Sequence, residues 1–320
     1  MKKLAAKEVE TANFQRDIKS IKEWIDQTLK NIHKRMAELF HINFAYFSDV
    51  KIIKHSEILN QLTQRMWGDL KENGMIHSGI QWRQICETLS RNQAAGFFEN
   101  FAFYNPMDEV LYVNEEMVIN HPEKIISVCA HELSEKLLST YISPPVKSSI
   151  QPAVKLYFEA KKTNNTKRLH ELLNMYVDTV FKTVFKEGCC EAIALQTLHN
   201  MGYETEAASL EKELQTGYPK CIGLLFYIEN ARKSGERVEK DRIRHQAVDE
   251  EKLIKEVLRS SQIIKGVSYY LGYPLAKAVL EKYGIEGVRF AIENHPPLKA
   301  QYFANPQTYL TLLEKMVMSN

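Results

Sequence analysis

The sequence predicts an α+β fold: a small mixed β-sheet with helices in the first half of the chain, then a mostly helical second half, with a cleft between them. Three observations carry this. Phe44, Tyr46, Val50, Ile52 and Ile53 are β-formers concentrated in residues 41–54. Residues 92–114 are rich in Gly, Asn and aromatic residues and contain the turn signal Asn105-Pro106-Met107-Asp108. Beyond the prolines at 144, 145 and 152, only helical periodicity is found. A chain of 320 residues suits one large domain or two modest ones. We divide it into an N-terminal α/β part, 1–150, and a helical C-terminal part, 151–320.

In chain order, Phe14, Ile18, Ile21, Trp24, Ile25, Leu29, Ile32 and Met36 recur at helical spacing, predicting a long amphipathic helix over 8–40. One or two strands follow in 41–54. Ser56 caps a helix through Leu59, Leu62, Met66 and Trp67; 74–79 is a loop and 82–89 a short helix. The turn at 105–108 makes 92–114 a hairpin ending in the strand 110–113, which leads directly into a helix over 125–138. Pro122 and Glu123 suit the first turn of that helix, and Asn120 or His121 its cap. A long helix runs from Thr166 to Met201 and stops at Gly202, with Gly188 able to kink or divide it. Two helices are expected at 204–216 and 221–233, and an exposed charged stretch at 235–251. Residues 253–283 are helical with an interruption near Gly272-Tyr273-Pro274, 287–293 form a short helix, and 306–318 a final one.

Composition excludes several classes. Lys and Arg number 42 against 40 Asp and Glu, a balance that argues against nucleic acid or an acidic membrane surface as partner. No apolar run approaches the roughly 18 residues of a membrane span. The N-terminus meets charge at Lys7 and Glu8 and lacks an apolar core, so no Sec signal peptide is expected. The five cysteines, irregularly spaced and without a CxxC pair, suit reduced thiols and a cytoplasmic location, although specialised secretion leaves no legible mark.

The helix over 125–138 is where the chemistry concentrates. Ile126, Cys129, Leu133 and Leu137 mark it as apolar, yet it holds His131, Glu132 and Glu135. His131 and Glu135 are four apart and project from one face. Ionisable groups on so apolar a helix are costly to bury unless something pairs or binds them. A metal ion is one solution and lysines such as Lys136 another; a helix only partly buried, with the three groups in water, is a third.

Four stretches together resemble the gluzincin branch of the zinc-dependent metallopeptidases. The hairpin from Ala95-Gly96-Phe97-Phe98 to Val110-Leu111-Tyr112-Val113-Asn114 looks like the sheet edge preceding the metal helix. His131-Glu132 follows it. Glu187-Gly188 with Glu191-Ala192 resembles the Glu-Gly-x-Ala segment that supplies a ligand from a second helix. Tyr269-Tyr270-Leu271-Gly272 resembles the Tyr-x-x-Gly segment. The tail His295-Pro296-Pro297, Gln301, Asn305-Pro306 and Tyr309 is similar to a C-terminal signature of small gluzincin-like proteins. The likeness covers roughly residues 95 to 310 and implies a zincin-like fold. The departure is that HExxH here reads His131-Glu132-Leu133-Ser134-Glu135, with Glu in place of the second ligand His.

The resemblance implies a metal held by His131, Glu135 and Glu187, with Glu132 as general base and Tyr269 stabilising the oxyanion. Glu191 is a second-sphere acceptor or an extra ligand. Two carboxylates and one imidazole nearly neutralise a divalent ion. That shifts preference from zinc toward harder ions such as manganese, or leaves the site without metal. Three functions follow: a metal-dependent peptidase acting on a peptide or protein substrate; an inactive zincin-like scaffold binding a protein or peptide partner; and a carboxylate-bridged dimetal protein, for which the Glu-x-x-His spacing is absent.

Overall fold

The computed structural model describes residues 18–54, 57, 102–105, 108–140, 166–241, 263–264, 266–294 and 298–317. Within these the protein is mostly helical, with one small mixed sheet. The helices expected at 56–67 and 82–89, the hairpin's Ala95–Phe98, the break at 143–152, the start of the 253–283 helix and His295–Pro297 lie outside the described residues.

Helix α1 (Ile18–Phe40) buries Ile21, Ile25, Leu29, Ile32, Met36 and Phe40, a single stripe at steps of three and four. Strand β1 (Asp49–Ile53) pairs in parallel with β3 (Val110–Asn114), and β2 (Ala102–Asn105) pairs with β3 antiparallel, giving the order β1-β3-β2. All five residues of β3 are buried, as the middle strand of a covered sheet requires. The turn into β3 holds Glu109 at φ 58°, and Tyr112 donates its hydroxyl proton to Asp108 at 2.7 Å.

The strand does not lead directly into the His131 helix. A six-residue helix, α2 (Glu115–Asn120), intervenes, capped by the Asn114 side chain accepting from the Glu116 N–H at 3.1 Å. A 3₁₀ turn at Pro122–Lys124 then opens α3 (Ile125–Ser139), without a capping hydrogen bond from His121. Helix α3 packs against α1, β2 and α4 (Thr166–Met201). Glu132, Ser134 and Lys136 are buried on it along with its apolar residues, so the partly exposed helix is ruled out.

Three helix boundaries differ from expectation. Helix α4 runs unbroken through Gly188. Helix α5 (Glu204–Asp241) is continuous where two helices were expected, with Pro219 inside it. Helix α6 (Ser268–Asn294) passes through the expected interruption at Gly272–Pro274; it breaks at Gly284, in the gap expected between 253–283 and 287–293, where φ 65° and ψ −164° leave the helical region. The glycines at 188 and 272 serve tertiary structure. A Cβ on Gly188 would collide with the carbonyl of Gly272, and one on Gly272 with the carbonyl oxygen of Val184. Helices α4 and α6 therefore meet backbone to backbone.

The chain ends in α7 (Ala300–Ala304) and α8 (Pro306–Val317). Buried Glu229 of α5 accepts the Ala300 N–H at 3.0 Å, and Tyr218 donates to the Phe303 carbonyl at 2.9 Å. Phe303 and Tyr309 pack on Phe181 and Phe185 of α4, so the tail braces that helix. Among the described residues no helix is long and apolar enough to cross a membrane. Cys129, Cys189, Cys190 and Cys221 are free thiols; Cys189 and Cys190 act as small buried hydrophobes whose pKa burial pushes up.

Candidate functional site

The crossing of α3 and α4 gathers His131, Glu132, Glu135, Lys186, Glu187 and Glu191. Glu187 and Glu191 are one turn apart on α4, and both face the His131 ring. Nε2 of His131 lies 3.5 Å from Glu187 Oε2, and Nδ1 lies 2.9 Å from Glu191 Oε1. The second contact is an ion-pair approach without hydrogen-bond alignment at Nδ1, and the other Glu191 oxygen, Oε2, is buried without a hydrogen-bond partner. Unsatisfied polar atoms in so enclosed a place are expensive.

Glu132 is 5% exposed and accepts the Tyr104 N–H at 2.6 Å. That N–H belongs to β2, an edge of the sheet among the described residues. Burial is the largest influence on Glu132; with Glu135 and Glu187 nearby it outweighs His131 and pushes the carboxyl up to about 8. Glu132 is therefore mostly protonated at neutral pH. Burial opposes the positive charge on His131, but Glu191 and then Glu187 outweigh it and hold the imidazole well above its ordinary pKa. Burial would raise Glu187, yet His131 and Lys186 keep it below the usual carboxylate value.

Glu135 is paired with the Lys186 ammonium in a close salt bridge, with neither side chain more than a quarter exposed. Burial would lower the Lys186 pKa, and Glu135 followed by Glu187 raise it instead. Lys136, the counter-ion suggested by sequence for Glu132 and Glu135, goes elsewhere: it binds Glu109 at 2.9 Å and donates to the Tyr104 hydroxyl at 3.1 Å. Four carboxyl groups thus meet two cationic groups, Lys186 and protonated His131.

Tyr269 opens α6, one turn before the Gly272 contact. Its ring lies 4.1 Å from that of Tyr270, whose hydroxyl donates to Glu213 at 3.0 Å. Burial raises the Tyr269 phenol, helped by a hydrogen bond with Tyr270 and by the charges of Glu213 and Glu191.

The structure brings together His131, Glu132, Glu135, Glu187 and Glu191, all expected from sequence; Tyr269 packs on Tyr270, and no contact joins it to them. Sequence reasoning missed Lys186 as a member, because only the α3–α4 crossing brings it to Glu135. It also missed the Tyr104 N–H, a backbone group with no signature. Among the described residues no group of three or more His, Cys, Asp or Glu side chains is placed to hold a metal ion together. His131 and Glu187 converge, while Glu135 is turned to Lys186. Comparison with family models, with curated proteins and with solved structures gives no match.

Proposed function

We propose that this chain is a metal-dependent peptidase of gluzincin type, with a zincin-like fold, in which His131, Glu187 and Glu135 hold a divalent ion. The observation that supports this reading is the pairing around His131. Its Nε2 to Glu187 separation, 3.5 Å, is long for a charged hydrogen bond. It is close to the ~3.4 Å expected between two ligands of one tetrahedral ion with bonds of ~2.1 Å. Its other nitrogen faces Glu191, the arrangement in which a second-sphere carboxylate fixes the tautomer and orientation of a ligating histidine. The buried Glu191 Oε2 without a hydrogen-bond partner fits a site completed by a further group.

When bound, zinc or manganese supplies Lewis acidity toward a peptide carbonyl and toward water. The remaining work falls to the chain. Glu132 would be the general base once the charge of a bound divalent ion lowers its pKa and makes it a carboxylate; without the ion it is mostly protonated at neutral pH. The Tyr104 N–H orients its carboxyl group. Tyr269, kept protonated by burial, donates to the developing oxyanion.

The test is metal content by elemental mass spectrometry after purification in zinc or manganese. About one equivalent is expected, lost in His131→Ala and in Glu187→Ala, together with cleavage of a quenched fluorescent peptide library. Wild-type protein that stays metal-free after reconstitution would sink the peptidase reading.

A second reading is favoured by the Lys186–Glu135 salt bridge, which places an ammonium where a third ligand is needed. On that reading the chain is a catalytically inactive zincin-like scaffold that binds a protein or peptide partner. It predicts no metal in the wild type and zinc uptake in Glu135→His.

A further inference from the structure

We propose that Lys136 is a positioning residue for Glu132: it fastens Tyr104 to helix α3 through the tyrosine hydroxyl, so that the Tyr104 N–H meets the Glu132 carboxyl group in one fixed place. The inference rests on the reading of Glu132 as the working carboxyl group, and not on a bound ion. Glu132 and Lys136 are one turn apart on α3 and project from one face of it. Both side chains end on the same residue of β2. Glu132 accepts the Tyr104 N–H at 2.6 Å, and the Lys136 ammonium donates to the Tyr104 hydroxyl at 3.1 Å. Lys136 is only 3% exposed, and a buried ammonium is costly unless it is paired. Its counter-ion is the half-exposed Glu109, at 2.9 Å.

The supports of this bridge are themselves held. Glu109 lies in the turn into β3, and its carbonyl accepts the Ser48 N–H at 2.9 Å, which ties the turn to the chain entering β1. The Tyr104 ring packs on Phe47, 5.5 Å between centroids. Burial works against the Lys136 charge, but Glu109 and Tyr104 hold its pKa above the ordinary value. Among the described residues β2 has sheet hydrogen bonds to β3 alone, and that pairing does not set its distance from α3. A donor held to α3 only by the carboxyl group it orients would follow that group whenever the side chain turned. Lys136 supplies a second attachment at the other end of the same residue, so Glu132 turns against a stationary N–H. Apolar replacement of a buried ion pair is often neutral or stabilising, so stability alone does not call for a lysine here.

The experiment is NMR of the metal-free full chain with labelled residue 104 and labelled glutamate, in wild type, Lys136→Met, Lys136→Arg and Tyr104→Phe. It reads the amide proton of residue 104 and the carboxyl carbon of Glu132. Glu132→Leu, which offers no acceptor, marks the amide position with the bond lost. Lys136→Met is expected to move the amide proton upfield toward that mark and to shift the Glu132 carbon, and Lys136→Arg to restore both. Tyr104→Phe removes only the hydroxyl and keeps the ring on Phe47, so it makes the same test if Lys136→Met does not fold. A lower thermal midpoint with both signals unmoved, in whichever of the two variants folds, makes the lysine merely structural and overturns the proposal. In an active preparation Lys136→Met should lower kcat by up to about 10²-fold with KM unchanged. Shifted signals in a chain whose wild type cleaves no peptide sink the peptidase reading alone and leave the positioning of Glu132 standing.

Discussion

Gly272→Ala is expected to destabilise the protein by roughly 3 kcal/mol or more, at the upper end of overpacking substitutions. The new methyl group would strike the Val184 carbonyl oxygen and the backbone of Gly188, and backbone cannot rotate aside as a side chain can. Helices α4 and α6 would have to separate. Glu187 and Glu191 flank Gly188 on one of them, and Tyr269 sits one turn before Gly272 on the other, so the separation should also displace the site. Gly188→Ala should behave alike. Gly223→Ala is the control: Gly223 lies in helix α5 with open space around its Cα, and the substitution should stabilise by about 0.5–1 kcal/mol. Urea unfolding of the three variants checks the contrast. A Gly272→Ala protein as stable as wild type would refute the backbone contact.

Glu132→Gln is expected to do two opposite things. Where catalysis is measured it should lower turnover by about 10²–10⁴-fold, the usual contribution of a general base. In metal-free protein it should raise stability. Glu132 titrates near 8 in the fold against 4.5 unfolded, so between those values the folded state holds a proton that the unfolded state has released. Stability from this group is therefore complete below about pH 4.5 and falls as pH rises to about 8. Gln cannot ionise and still offers an oxygen to the Tyr104 N–H. The variant should gain on the order of 3 kcal/mol at pH 8 and almost nothing at pH 4. In thermal unfolding at pH 8 that is roughly 5 °C or more. A gain independent of pH would show that packing, and not the buried charge, is responsible.

Much of the fold was legible because its signals are local. The stripe from Ile21 to Phe40 defines α1 without reference to anything else. The apolar period from Leu173 to Leu198 with Gly202 beyond it delimits α4. Glycine and proline were misread at Gly217–Pro219 and Gly272–Pro274, where each was treated as a local stop, and Gly188, read as able to kink or divide its helix, does neither. At 188 and 272 the missing side chain answers to another helix, and Gly217 lies under the Tyr270 ring. The true break, at Gly284, falls in the gap expected between the helices at 253–283 and 287–293. At the site, His131 with Glu135, Glu187 with Glu191, and Tyr269 with Gly272 could be read from spacing within single helices. The partner of Glu135 could not, since Lys136 and Lys186 are equally plausible in one dimension and only the angle between α3 and α4 selects Lys186.

The hydrogen bond from the Tyr104 N–H to Glu132 gives the protein its own reporter. Among the described residues β2 is an edge of the sheet, and an amide there exchanges with deuterium quickly unless something bonds it. Here the acceptor is the carboxyl group proposed to do the chemistry. Exchange at this one amide thus measures how long Glu132 stays docked on the strand, with no label added and no substrate known. Any ligand that draws Glu132 inward should unmask Tyr104, and its NMR signal would register occupancy of a centre about 28 residues further along the chain.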